Sequence, residues 1–389
     1  MSRVVAVTGL GAVSPMGTGV PALWQGLLAG RRVLGPIRRF DTEGIRSAGG
    51  GEVPGPLPGE GGAETTLAEG YLLLAVREAL AASGVRGEET ALVAGTNFGG
   101  MSEAERALAG GDAARLAGYE FRGQVEACAN ALGLTGARLA ISLSCASGAA
   151  ALVVGLDLLR AGRAARVVAA GYDELSRYAF AGLAALRAMT PTALRPFDRR
   201  RDGTLFSEGA GALILEPVDD ARARGATVYA ELLGGALNND GYHMTAPEKE
   251  ARGISALVRE ALADAGVGPD EIDHVNLHGT GTKYNDLIET RAMKNVFGER
   301  ARSIPVTACK SALGHAMGAA GALEAVAGIM SIREGKVPPT VGLDEVDPEC
   351  DLDVVRDGPR EVAIRRMLST SYGIGGTNAA VVLAAPEHC

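Results

Sequence analysis

Three observations predict an α/β fold. Short β-branched or apolar runs recur along the chain, Ala/Leu-rich helical stretches separate them, and one strand–turn–helix pattern occurs twice. Val4-Val5-Ala6-Val7-Thr8-Gly9 reads as a buried strand ended by glycine, and Leu67 to Ala82 as a helix closed by Ser83-Gly84. Leu92 to Gly95, Val167 to Gly171, Val275 to Leu277 and Ala379 to Leu383 read as further strands. The repeated pattern appears when Ile141 to Ala150 is set beside Val306 to His315: a strand, a turn of small residues, then a Gly/Ala-rich helix. Gly and Ala are poor choices for an exposed helix but good ones where backbones pack closely, so both helices belong at the centre. At 389 residues the chain exceeds the size at which one core stops growing. Two halves are therefore expected, 1–225 and 226–389, meeting in the polar stretch Pro217 to Thr227.

Composition removes several function classes. Hydrophobic residues are 47% and charged residues 22% of the chain, as in a compact enzyme. Runs such as Ala149 to Leu156 and Ala316 to Leu323 are too short to span a bilayer and end at Asp157 and Glu324. Met1 to Gly9 lacks the long apolar region of a signal peptide, and the reading is cytoplasmic. Five cysteines without a C-x-x-C pair indicate neither a disulfide framework nor a zinc site. A net charge of −8 gives no attraction to nucleic acid or anionic lipid. No metal, redox cofactor or nucleotide loop is expected.

Cys145 lies between an apolar strand and the start of an Ala-rich helix, where the helix dipole and free N–H groups favour a thiolate. Taken alone, a small buried cysteine is the commoner reading. Two of the five histidines also sit in glycine settings, His278 in His278-Gly279-Thr280-Gly281-Thr282 and His315 five residues after Lys310. Together with the cysteine they point to catalysis. His243, His274 and His388 have no such context and receive no role. Gly373-Ile374-Gly375-Gly376-Thr377-Asn378 lacks the Walker lysine and the spacing of a dinucleotide loop. It reads as a turn presenting N–H groups to an oxyanion, or equally as a plain Gly-rich hairpin.

Together these segments resemble the elongating β-ketoacyl-acyl-carrier-protein synthases of the thiolase superfamily along nearly the whole chain. Further matches are Asn285-Asp286 with Glu289, Gly318-Ala319-Ala320-Gly321 with Glu324, Arg195-Pro196-Phe197-Asp198, Arg201-Asp202-Gly203 and Glu208-Gly209-Ala210-Gly211. The resemblance implies a duplicated five-layer α-β-α-β-α fold and an obligate dimer: a homodimer, or a heterodimer with a second ketosynthase-like subunit. It also implies a substrate arriving on the phosphopantetheine of an acyl-carrier protein. Cys145 would take the acyl group, with the N–H groups of Cys145 and Ile374 holding the oxyanion. His278 and His315 would stabilise the enolate left by decarboxylation. Lys310 would support the histidines, Asp286, Glu289 and Glu324 would stand behind it, and Thr280 and Thr282 would bind the pantetheine arm.

The chain also departs from the family. Ile374 stands where fatty-acid relatives carry a gating phenylalanine, and Phe98 stands at an acyl-pocket position often smaller, so a short or unusually shaped primer is expected. The basic start of the first long helix is replaced by Glu60, Glu64 and Glu69, leaving Arg199 and Arg200, or Arg38, Arg39 and Arg46, to meet an acidic carrier. A thiolase would need a second cysteine near the C-terminus, where only Cys389 occurs. A partner subunit that only shapes chain length would lack the nucleophile, which is present.

Overall fold

A computed structural model describes residues 4–55 and 65–387; Glu60, Glu64, His388 and Cys389 lie outside them. The strands form one long path of two halves. The first half runs Arg138–Ile141, Thr90–Gly95, Arg166–Asp173, Gly209–Pro217, Val5–Ser14. The second runs Ala230–Asn239, Thr377–Ala384, Arg366–Tyr372, His274–Asn276, Pro305–Thr307, Asp353–Val354. They join only where Val5, Ala6 and Val7 pair antiparallel with Leu232, Glu231 and Ala230.

Helix packing turns this path into layers. Leu67–Ser83 covers the outer face of the first half, and Arg252–Ala265 that of the second. Ser147–Arg160 and Ala320–Glu334 touch each other and strands of both halves, so they form the middle of an α-β-α-β-α stack. Both are mostly buried, as their Gly/Ala content predicts. A Cβ on Gly148 would sit 2.7 Å from the Gly318 carbonyl oxygen, and one on Gly321 2.6 Å from the Ala149 nitrogen. Glycine is what lets these backbones meet.

Two sequence readings change. Val5–Ser14 continues through Gly9 and Gly11, with a shift in its pairing register between Val7 and Gly9. At each, an added Cβ would collide with a carbonyl of helix Leu67–Ser83, from Ala79 or Ala75, so these glycines admit the helix and do not stop the strand. The second repeat is also interrupted: after Pro305–Thr307 comes only the short helix Lys310–Leu313, and the long helix begins at Ala320. Gly314, at φ 81°, breaks the helix and places His315 in a loop.

This layering gathers the chemistry. Cys145 follows strand Arg138–Ile141, His278 follows His274–Asn276, and Lys310 follows Pro305–Thr307. Each stands at the carboxyl end of its strand, where open α/β sheets place ligands.

Candidate active site

Ser144 adopts φ 50°, a left-handed turn that L-residues enter only when the surroundings hold it. The Ser147 hydroxyl closes that turn, accepting the Leu143 N–H at 2.8 Å and donating to the Ser144 carbonyl at 2.6 Å. Cys145 is thereby set two residues ahead of helix Ser147–Arg160 and is 4% exposed. Burial pushes its thiol up to about 11, while the Ile374 N–H, the Lys310 charge and its own N–H pull the other way. The resting group is the thiol and not the thiolate expected from the helix start, because desolvation outweighs those three stabilising contacts.

Behind His278 stands a buried charge network. Lys310 Nζ lies 3.1 Å from His278 Nδ1 and 2.5 Å from Glu324 Oε1. An ammonium only donates, so Nδ1 accepts and the imidazole proton is on Nε2. Glu289 accepts the N–H groups of His278 and Gly279 at 2.7 and 2.9 Å and the Thr370 hydroxyl at 3.1 Å. Its carboxyl is pushed up to about 7 by burial, against those two N–H groups. Glu324 is also raised by burial, against the pull of Lys310.

His315 is fixed differently. Its Nδ1 accepts the Met317 N–H at 3.1 Å, which again leaves the proton on Nε2, an atom with no hydrogen-bond partner among the described residues. Its ring stacks on Phe206 at 5.5 Å and meets His278 edge-on at 5.3 Å. Burial holds both imidazoles well below the usual histidine range, with Lys310 next in effect. Two neutral rings with Nε2–H donors thus stand side by side.

Cys145, His278 and His315 share the lining of one pocket of about 400 Å³ with Phe206, Thr280, Thr282, Tyr372 and Ile374. Ile374 lies in the turn between Arg366–Tyr372 and Thr377–Ala384, so the glycine segment is a hairpin as well as a donor of an N–H to the Cys145 sulfur. Gly375 and Gly376 take φ 92° and 75°, which a side chain would resist.

Family models for the β-ketoacyl synthase N-terminal and C-terminal domains match residues 2–221 and 229–344. The chain belongs to the β-ketoacyl synthase family. A 3-oxoacyl-[acyl-carrier-protein] synthase 2 from Coxiella burnetii is 34% identical over 98% of each chain. Among solved structures, the ishigamide ketosynthase/chain length factor superposes with TM-score 0.92 at 37% identity over all of both chains. A type II polyketide acyl-carrier protein in complex with its ketosynthase bound to the hexaketide gives 0.93 at 30% identity, covering 99% of this chain and 100% of that one.

The remaining site residues fall in different places. Thr280, buried, lines the pocket, whereas Thr282 also caps helix Lys283–Phe297 by accepting the Asn285 N–H at 3.3 Å. Asp286 does not stand behind Lys310. It accepts the N–H groups of Phe197 and Gly281 at 2.8 and 3.1 Å and so shapes the loop after His278. Phe98 is absent from the pocket wall and packs on the cluster of Phe180, Phe206 and Met317. Arg199 is paired with Glu345, Arg200 with Asp198 and Asp344, and Arg39 with the buried Glu208. Those three cations are already neutralised by the protein. At the pocket wall, Arg187 and Lys283 are exposed, and neither side chain has an ionic or hydrogen-bonding partner among the described residues.

Sequence reasoning missed Phe206, Tyr372 and Asp173. Tyr372 lies edge-on to His278 at 5.4 Å, and Asp173 is wholly buried at the end of strand Arg166–Asp173. An acid directly following the apolar run Val167 to Tyr172 was the available signal for Asp173.

Proposed function

We propose that the chain condenses an enzyme-bound acyl group with a malonyl unit, both delivered by acyl-carrier protein, to give a 3-oxoacyl thioester. The observation that carries this reading is the pair of Nε2–H groups on His278 and His315 in the same pocket as Cys145. In the first half-reaction Cys145 Sγ attacks the acyl thioester, and the carrier thiol leaves with the proton that Cys145 gives up. The N–H groups of Cys145 and Ile374 hold the oxyanion. In the second, the bond from malonyl carbon to carboxylate breaks and carbon dioxide departs. The electron pair passes into an enolate whose oxygen accepts from both Nε2–H groups. The enolate carbon then attacks the acyl carbonyl, and Cys145 leaves as thiolate. Lys310 acts through His278, and Glu324 and Glu289 act through Lys310 and the His278 backbone.

Thr280 binds the pantetheine arm, and the unpaired Arg187 and Lys283 face the carrier's acidic surface, in place of Arg199 and Arg200. The phosphopantetheine is a substrate arm, and no resident cofactor or metal takes part. The halves 1–225 and 226–389 contribute the nucleophile and the histidines respectively. The enzyme works as a cytoplasmic dimer, of two copies or with a second ketosynthase-like subunit. Among the described residues no helix is long and apolar enough to cross a membrane.

The test incubates the protein and Cys145→Ala with acyl carriers of graded chain length, adds malonyl carrier, and weighs protein and product. Acylation of the wild type alone, followed by a product two carbons longer, is expected (roughly a full equivalent per active subunit). Absence of acylation with every carrier, alone and with a second ketosynthase-like subunit added, would overturn the reading.

A further inference from the structure

Five donors converge on one buried carboxylate outside the reacting set. Asp173 accepts the Thr96 hydroxyl at 2.7 Å and the N–H groups of Asn97 at 2.9 Å, Phe98 at 2.8 Å, Gly99 at 3.1 Å and Gly318 at 2.6 Å. Four of these come from the loop after strand Thr90–Gly95, and the fifth comes from the turn after His315. The Gly318 contact matters most. Gly318 directly follows Met317, a buried residue held at φ 52°, and the Met317 N–H is the donor that occupies His315 Nδ1. A left-handed methionine is strained, and a neighbouring restraint must hold it there. At Gly318 that restraint leaves no room for a side chain, since a Cβ would lie 2.7 Å from both the Asn97 nitrogen and Asp173 Oδ2.

We infer that Asp173 is a positioning residue for His315. Through Gly318 it clamps the Met317 turn so that the Met317 N–H stays on Nδ1 and the His315 proton stays on Nε2, facing the malonyl enolate. This rests on the condensation chemistry proposed above and adds a residue that touches none of the reacting atoms. The same carboxylate also holds the loop carrying Phe98, which lies off the pocket wall. Replacing Asp173 by Asn keeps the size but puts an amide NH₂ among five donors. One oxygen must then serve contacts that two oxygens serve now.

The experiment separates the two half-reactions. In Asp173→Asn, acylation of Cys145 by an acyl carrier should not fall below the wild-type rate, because it does not use the His315 proton and loses only a charge that disfavours the Cys145 thiolate. Malonyl-carrier decarboxylation and condensation should fall about 100-fold, the scale of a misplaced catalytic group. Equal losses in both half-reactions would overturn the inference and reduce Asp173 to a general structural residue. An independent reading comes from nitrogen–proton NMR of isotope-labelled histidine. His315 should be a single Nε2–H tautomer in the wild type, with the Nδ1–H form appearing in Asp173→Asn. An Nδ1–H or mixed His315 in the wild type would overturn it even if the variant did not fold. Failure of wild-type acylation would instead strike at the condensation reading and leave the tautomer result standing by itself.

Discussion

His278 and His315 carry the proton on the same ring nitrogen, Nε2, in two differently built regions. Around His278 the proton is placed by a side-chain charge: Lys310 donates to Nδ1 and is itself neutralised by Glu324, both buried to within 2% of full exclusion. Around His315 it is placed by backbone alone, through the N–H of a strained Met317. A charged clamp is strong but must bury an ion pair, whose desolvation is repaid only by close geometry. A backbone clamp carries no charge, yet it depends on a turn that one glycine and one carboxylate hold in place. The difference teaches that the two halves of the site should fail in different ways.

The largest effect is expected on the charged side. Lys310→Met removes the donor to His278 and leaves Glu324 buried without its counter-ion. Breaking a buried pair costs about 3–5 kcal/mol of stability, and protonation of Glu324, already favoured by burial, recovers part of it. Condensation should drop about 100-fold. Denaturant titration and single-turnover kinetics check the two parts. Restoring the stability in Lys310→Met/Glu324→Gln without restoring turnover would show that the lysine acts on His278 and not merely on the fold.

A pH profile sharpens the same contrast. Burial disfavours the Cys145 thiolate and carries its titration up to about 11, whereas the Lys310 charge opposes that shift. Alkylation of Cys145 by iodoacetamide should therefore accelerate with pH throughout the range below that value. In Lys310→Met the profile should move to still higher pH, since the favourable charge is gone. A profile that levels off near neutrality would contradict the thiol resting state.

Smaller effects distinguish the two threonines. Thr280→Val keeps its volume and loses a pocket hydroxyl, so KM for the carrier thioester should rise about fivefold to tenfold, the equivalent of one hydrogen bond, with kcat unchanged. Thr282→Val loses the cap of helix Lys283–Phe297 and should cost about 1 kcal/mol of stability. Steady-state kinetics and thermal melts report each.

Much of this site is legible along the chain, because its chief residues each belong to a short segment with its own spacing. Cys145 precedes a Gly/Ala helix, His278 opens a Gly-Thr-Gly-Thr turn, and Lys310 and His315 are five residues apart. The layer order is legible too, since Gly148 and Gly321 fall in the two helices whose composition only close packing explains. What the chain hides is long-range. Asp173 draws its donors from residues 96–99 and from Gly318, and no local pattern announces that convergence. Asp286 resembles a family acid that stands behind the lysine, yet its carboxylate meets the N–H groups of Phe197 and Gly281, because it faces the loop at the start of its helix. Arg199 and Arg200 read as free cations until Glu345, Asp198 and Asp344 arrive beside them. Gly9 reads as a strand end because a helix packed across it is invisible in sequence.

The most direct measurement compares malonyl-carrier decarboxylation with Cys145 acylation in His278→Ala and His315→Ala. If two Nε2–H groups stabilise the enolate, each variant should still acylate Cys145 while decarboxylation falls by about 10²–10³-fold, the loss typical of one oxyanion donor. Decarboxylation at the wild-type rate in either variant would remove that histidine from the enolate site and contradict the paired-donor mechanism.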